Sequence, residues 1–544
     1  MSKAKLFVVA VYLPSSNLAF HAVPNCLVKL RLRANPISTS TCSSFGYHDR
    51  LPWRPEVSHE RPRAQVLAMP QLESEAKDHL AWMDGVELDF QGKVQVKGLF
   101  LSETESLMES LGEKPDRAEV LFSWLYHDGR LIRDVDESAA SNDRGNRDRW
   151  RPLGKKTRNK LRAVATADGG LSLEDVQLAA DGTRKLVSVL TSGEGLGKKV
   201  ETVIIPMLRG PRKQPRYTVC VSSQVGCAMN CQFCYTGRLG LMANLQTAQI
   251  VEQVLTAKRF LESVGDPVPV TGVVFMGMGE PFDNYERVMR AVKILTDPRG
   301  GVRLRGSSVT VSTVGLVPEI ERFCADPDNR ASLAVSLHTV SGTVRDQIIP
   351  VNRRYPLDWL SETLRIHFSR PPARGGADAR FQGQSPDRFQ QRSSERFGEW
   401  SVEKSAGRRD RPLLSQSRHQ RQRRKRRILA VEYTLLEGVN DSPADAERLA
   451  DWLEGVNCVV NLIPFNPHEG TPFRPSSLET SKTFREALLE KGLLCTVRDS
   501  RGDDGMAACG QLGGESMSRS QGRKPVPVVW TPPRSAIPSV KSSR

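Results

Sequence analysis

"CVSSQVGCAMNCQFC", residues 220–234, places four of the chain's ten cysteines within fifteen positions. Three of them, Cys227, Cys231 and Cys234, form CxxxCxxC directly after "TVCVSSQV", a β-branched run that reads as a strand. Thiols this close together on one loop suit a metal. A closed zinc site takes four ligands, and iron–sulfur clusters are likewise normally held by four cysteines. Three thiolates therefore leave one coordination position open, unless Cys220 joins them as the fourth ligand of a zinc knuckle.

Downstream of this loop, strand and helix patterns alternate. "VTGVVFMGMG", "SSVTVSTVG", "ASLAVSLH", "RILAVEYTLL" and "CVVNLIPFN" read as further strands, and "TAQIVEQVLTAKRFL", "YERVMRAVKIL" and "PADAERLADWLEGV" as helices between them. Six such β/α units predict an α/β fold with a parallel sheet, whose chemistry lies at the carboxyl ends of the strands. The turn Gly277–Pro281 sits at one of these ends. Its glycines, Gly279 among them, let backbone approach a ligand, and Glu280 can accept hydrogen bonds from a cationic amine.

Upstream, "SETESLMESLG" opens on a Ser cap and "KPDRAEVLFSWLYHDG" has helical spacing that stops at Gly129. The basic helix "KKTRNKLRAV" follows, then "DGTRKLVSVL" and "KKVETVIIPM", which read as a small β-ribbon. These make residues 78–215 a mixed accessory domain and 216–515 the main domain.

The formal charge of +16 sits in two places. Residues 369–427 hold 17 Lys and Arg against 6 Asp and Glu, and residues 1–48 hold five basic residues and no acid, so the rest of the chain is neutral. Bulk charge is thus weak support for RNA binding by the folded part. Residues 369–427 lack apolar periodicity and are expected to be disordered: a solvated insertion, a nuclear-localisation or RNA-contacting patch, or sequence retained by mistaken gene prediction. Residues 1–48, with "LFVVAVYL" behind Lys3 and Lys5, read as an organellar presequence within a flexible 1–77 segment; a disordered cytosolic tail is the alternative. Residues 516–544 read as a flexible tail. No apolar run reaches the roughly 18 residues that a membrane helix needs.

In order, "VETVIIP", "CVSSQVGCAMNCQFC", "GMGEP", "VTVSTVG", "LAVSLH", "VRDQIIPVN", "NLIPFNP" and "RGDDGMAACGQL" resemble the RlmN/Cfr family of radical SAM RNA adenine methyltransferases over roughly residues 95–515. The resemblance implies a partial (β/α)6 radical SAM barrel. It implies one 4Fe-4S cluster on Cys227, Cys231 and Cys234, with S-adenosylmethionine, two molecules per turnover, as cosubstrate. It assigns Cys509 as the methyl-carrying thiol, Cys220 as the thiol that forms a transient disulfide with it, and Glu201 as proton acceptor. Gly279, Glu280, Ser312, Ser336, Leu337, His338 and Asn466 match contacts to S-adenosylmethionine, although His338 alone would read as a core histidine. Cys26, Cys42, Cys324, Cys458 and Cys495 match no role. The chain departs from the family pattern at Tyr235, at Val314 and in the longer turn "NPHEGTPF".

The implied reaction is methylation of carbon 2 of an adenosine in large-subunit (23S-type) rRNA, with some tRNA adenosines as second substrates. The alternatives are carbon 8 as the target, as in Cfr, or a non-catalytic RNA-binding homologue. The expected partners are RNA, held in part by "KKTRNKLR", and a flavodoxin- or ferredoxin-like electron donor. The protein is expected to be an organellar monomer, with cytoplasmic location as the alternative.

Overall fold

The computed structural model describes residues 85–127, 130–139, 152–207, 214–370, 427–498, 500–513, 525–528 and 530. Its frame is a ten-stranded sheet whose strands stand side by side in sequence order.

The N-terminal part contributes helices α1 (Leu101–Ser110), α2 (Arg117–Tyr126) and α3 (Lys155–Val164). Leu107, Met108, Leu121, Phe122 and Leu125 share one apolar core with the barrel. Ser102 does not cap α1. The helix starts at Leu101, and the Phe100 amide donates to Glu103 Oε2 at 2.7 Å. A carboxylate reaching back in this way satisfies a free amide and places negative charge at the positive end of the helix.

The predicted ribbon consists of β1 (Leu171–Leu178), β2 (Arg184–Leu190) and β3 (Lys199–Pro206). It does not stand apart from the barrel. β3 pairs antiparallel with β4 (Tyr217–Cys220), Val203 lying opposite Cys220, so the boundary expected at residue 215 falls between hydrogen-bonded neighbours. A bare edge on β4 would leave a row of unpaired amides and carbonyls, and the ribbon covers it.

From β4 onward every strand of this sheet is parallel: β5 (Val270–Phe275), β6 (Val309–Thr313), β7 (Ser332–Ser336), β8 (Leu429–Leu435), β9 (Cys458–Pro464) and β10 (Leu494–Val497). The crossovers carry the short α4 (Tyr235–Arg238), then α5 (Thr247–Ser263), α6 (Tyr285–Thr296), α7 (Val317–Ala325), α8 (Gly342–Ile348), α9 (Leu357–His367), α10 (Pro443–Trp452) and α11 (Leu478–Glu490). Six crossovers join seven strands, and β4 and β10 do not meet, so the barrel is partial. β10 escaped the sequence reading because it is four residues long and exposes three of them. α5 buries Gln249, Glu252 and Gln253 as well as its apolar face, because the N-terminal part covers it. Lys97 meets Glu252 at 2.6 Å, both side chains fully buried.

The ends of the basic insertion are fixed. The Asn457 amide donates to Phe368 O at 2.6 Å and the Leu429 amide to Asn457 O at 3.0 Å, so the chain leaves and returns on either side of Asn457. Asn457 precedes β9, which puts both ends at the amino edge of the parallel strands, opposite the carboxyl ends. Residues 371–426 and the presequence lie outside the described residues. Part of the tail expected to be flexible is docked: the Val526 amide donates to Arg238 O at 2.9 Å, and the Trp530 ring stands 5.4 Å from Phe473. No helix among the described residues is long and apolar enough to cross a membrane.

Candidate active site

β4 ends at Cys220 and the chain turns into the cysteine loop. Gly226, at φ +76°, would bring a Cβ to 1.9 Å from Gly240 O, so only glycine fits before Cys227. Cys227 and Cys231 are buried and Cys234 is half-buried. Burial, reinforced for Cys227 and Cys231 by neighbouring thiols, pushes these three thiols up. Bare thiolates are thus disfavoured here, and coordination to a metal removes that penalty. Among the described residues, no three His, Cys, Asp or Glu side chains converge on a single ion. A cubane cluster asks for something else, since each thiolate binds a different iron. The donor set fits such a cluster, and Cys220 does not belong to it.

Cys220 has a different partner. It lines a cavity of about 100 Å³ with Cys509, Met276, Asn466, Arg498 and Leu512. Burial, with the nearby Cys509 adding to it, pushes the Cys220 thiol up to about 12. Cys509 is exposed, and both thiols are free. Their convergence across 289 positions of sequence follows from the fold, because β4 and the segment after β10 reach the same end of the sheet.

The segment 500–513 is stitched down from several sides. Lys185 Nζ donates to Met506 O at 3.0 Å, the Ala180 amide to Asp504 Oδ2 at 2.8 Å, and the Gly513 amide to Glu201 Oε2 at 2.8 Å. On its other side the Tyr235 amide donates to Gly510 O at 2.8 Å and Thr236 Oγ1 to Leu512 O at 2.6 Å, which ties it to α4 beside the cysteine loop. Gln511 Nε2 reaches Asp503 Oδ1 at 2.6 Å and Pro467 O at 3.0 Å. The motif "RGDDGMAACGQL" is therefore largely scaffold for one exposed thiol.

Glu201 lies on β3, 2% exposed, with Lys185 Nζ at 3.5 Å. Burial raises its carboxyl above the ordinary range, and Lys185 and the Gly513 amide oppose that rise. Gly279, at φ +97°, leaves no room for a Cβ against Gln224 and turns the chain into Glu280. The Glu280 carboxylate accepts from the Phe282 amide at 3.0 Å and the Val314 amide at 2.9 Å, and burial still pushes it up to about 7. A cationic amine beside it would draw it back to the ionised form.

Ser312 and Ser336 stand side by side, Oγ to Oγ 3.3 Å, where β6 and β7 end. The remaining expected contacts also bond within the protein. Leu337 is fully buried and its amide donates to Glu432 O at 3.0 Å. His338 accepts the Thr434 amide on Nδ1 at 2.9 Å, and burial drives its pKa down to about 3, so it is a neutral, positioned core histidine. Asn466 donates to Cys509 O at 3.0 Å and accepts Ser500 Oγ at 2.8 Å, which makes it a support for the Cys509 segment.

Residues 221–366 match the radical SAM superfamily. Over 423 residues the chain is 36% identical to the dual-specificity RNA methyltransferase RlmN of Geotalea uraniireducens, covering 78% of this chain and 97% of that protein. This chain belongs to the RlmN family of radical SAM methyltransferases. The Pseudomonas entomophila RlmN is 35% identical over 433 residues, 79% of this chain and 93% of its own length. A crystal structure of a radical SAM methyltransferase from Sphaerobacter thermophilus, 34% identical, superposes with a TM-score of 0.58 over 77% of this chain and 98% of that one. As a member of the RlmN family, the protein is an enzyme that uses a 4Fe-4S cluster and S-adenosylmethionine.

The departures from the family pattern have local explanations. Val314 contributes through its backbone, its amide to Glu280 and its carbonyl to Arg345, while its side chain packs on the apolar core. Tyr235 is buried edge-on against His468 of the longer turn, ring centres 5.5 Å apart, so two departures pack on each other. Two charged residues escaped the sequence reading. Arg498 lies beside both thiols and meets Glu432 Oε2 at 3.3 Å; an arginine eleven residues before the thiol carries no signal of that without the fold. Arg345, inside the quoted "VRDQIIPVN", is fully buried.

Proposed function

We infer that this protein methylates carbon 2 of an adenosine in large-subunit rRNA, and of some tRNA adenosines, through a methyl group carried on Cys509. The observation that carries this reading is the shared cavity of Cys220 and Cys509, with Glu201 behind the same segment. A ring carbon of adenine is not nucleophilic, so polar methyl transfer fails there. Cys227, Cys231 and Cys234 would hold the cluster, which would supply the electron for reductive cleavage of S-adenosylmethionine to a 5′-deoxyadenosyl radical. Glu280 orients the cosubstrate's amino group, with Ser312 and Ser336 nearby. Cys509, exposed on a stitched-down segment, would present its methyl carbon to a flipped base; that carbon would lose one hydrogen atom to the 5′-deoxyadenosyl radical before it bonds to the ring, and the surplus electron would be given back to the cluster. Glu201 takes the ring proton. Cys220 bonds to the Cys509 sulfur as the sulfur–carbon bond to RNA breaks, the released carbon takes a proton to complete the methyl group, and the disulfide is reduced before the next turnover.

The N-terminal helices help to hold RNA by phosphate contacts. On α3, Lys155 and Lys156 are exposed, whereas Lys160 is paired with Glu113 at 2.7 Å and Arg162 with Asp136, which leaves less free charge than the sequence suggests. A flavodoxin- or ferredoxin-like donor, a monomeric state and an organellar location complete the reading; the last rests on the acid-free residues 1–48.

The test is nucleoside mass spectrometry of unmodified rRNA and tRNA after anaerobic incubation with reconstituted enzyme, S-adenosylmethionine and reductant. 2-Methyladenosine, lost in Cys509→Ala, is the expected product. 8-Methyladenosine moves the chemistry to carbon 8, and cosubstrate cleavage without any methylated adenosine sinks the RNA assignment.

A further inference from the structure

Arg345 is 1% exposed, and no carboxylate lies within 4 Å of its guanidinium among the described residues. Its hydrogen bonds go to neutral oxygens: Nη2 to Val314 O at 2.7 Å and Ser336 O at 3.4 Å, Nε to Leu337 O at 3.2 Å, and Nη1 to Asn352 Oδ1 at 3.0 Å. A buried cation without an anion is costly, by several kcal/mol as an order of magnitude. Carbonyls satisfy its donors, and Asp346 meets it only indirectly, through Asn352, whose Nδ2 donates to Asp346 Oδ1 at 2.7 Å, so no carboxylate pairs with the guanidinium directly.

The missing anion has a place. Arg345 belongs to α8, whose Ile348 carbonyl accepts the Gln232 amide at 2.9 Å, one residue beyond Cys231. Val344, Ile348 and Ile349 pack with Cys231 and Phe233 in one apolar cluster. A cluster on three thiolates is net anionic and gains one more negative charge on reduction.

We propose that Arg345 is a positioning residue for the cluster and its cosubstrate: its guanidinium fork ties together the ends of β6 and β7, and its fixed charge balances the anionic cluster and favours its reduced form. The three tied carbonyls flank the positions where Ser312, Ser336 and Glu280 stand, so one side chain couples the electron donor to the cosubstrate shelf. The inference rests on the family's cofactor, not on the RNA substrate.

The experiment is an EPR-monitored redox titration of the reconstituted full-length protein without RNA, comparing wild type, Arg345→Gln and Arg345→Lys. The wild-type signal first establishes the cluster itself, so a failure of the cofactor reading is visible separately. Removing the charge is expected to lower the midpoint by roughly tenfold in the one-electron equilibrium, about 59 mV. Arg345→Lys is expected to keep the midpoint near wild type but to bind S-adenosylmethionine several-fold more weakly, because an ammonium cannot fork between carbonyls. If Arg345→Gln loses its cluster while Arg345→Lys keeps one at the wild-type midpoint, the charge is again shown to matter. A wild-type midpoint in cluster-loaded Arg345→Gln, or loss of the cluster from both variants, would overturn the proposal and leave Arg345 a scaffold residue.

Discussion

Two thiols in one cavity, one buried and one exposed, are expected to fail differently when removed. Cys509→Ala removes the methyl carrier, so product falls to background. Cys220→Ala leaves the methyl carrier intact but removes the thiol that releases it, so a covalent protein–RNA species should build up, visible as a slow band on a denaturing gel. Absence of that band, with product still formed, would remove Cys220 from the reaction. Glu201 supplies a pH test. Its folded carboxyl titrates above the ordinary 4.5, and only the ionised form accepts a proton. Activity should therefore fall as pH drops through a value above 4.5, and the residual activity of Glu201→Gln should lack that acid limb. The linked stability has the opposite sense: a raised carboxyl stabilises the fold below its unfolded pKa, and that contribution is lost as pH rises through the folded pKa.

At the scale of elements, the insertion and the tail make opposite predictions. Both ends of the insertion are anchored at Asn457, on the amino edge of the strands. Replacing residues 371–426 by a short Gly/Ser linker should keep methylation within about threefold of the full chain, since closure cost changes slowly with loop length. A large loss of activity in a well-folded deletion would show that these residues act at the site. The tail is different, because Val528 and Trp530 pack against the cluster that contains Cys231, Phe233 and Phe473. Trp530→Ala should cost about 1–2 kcal/mol from lost apolar burial, measured by denaturant unfolding. The β-ribbon shows why element boundaries were harder to read than elements. Strand character is local in "KKVETVIIPM", but its pairing to β4 is decided by which edge needs a partner.

For the whole molecule, metal and fold are coupled. A buried arginine with no directly paired carboxylate raises the free energy of the metal-free protein, and ligation of Cys227, Cys231 and Cys234 to a cluster adds binding free energy to the folded state. Removing the cluster by oxidation and chelation should lower the unfolding temperature by several degrees; an unchanged midpoint would mean that the loop is organised without metal. The sequence alone determined the α/β alternation, the grouping of Cys227, Cys231 and Cys234, and the ordered motifs that point to the family, because each is a local pattern of apolar period or ligand spacing. Only the tertiary structure decided that Cys220 and Cys509 share a cavity, that Asn466 and His338 also bond to neighbouring backbone, and that Arg345 lies buried with no carboxylate paired to it directly. Those facts depend on which segments the sheet brings together at its carboxyl end, and on what each side chain meets once water has been excluded.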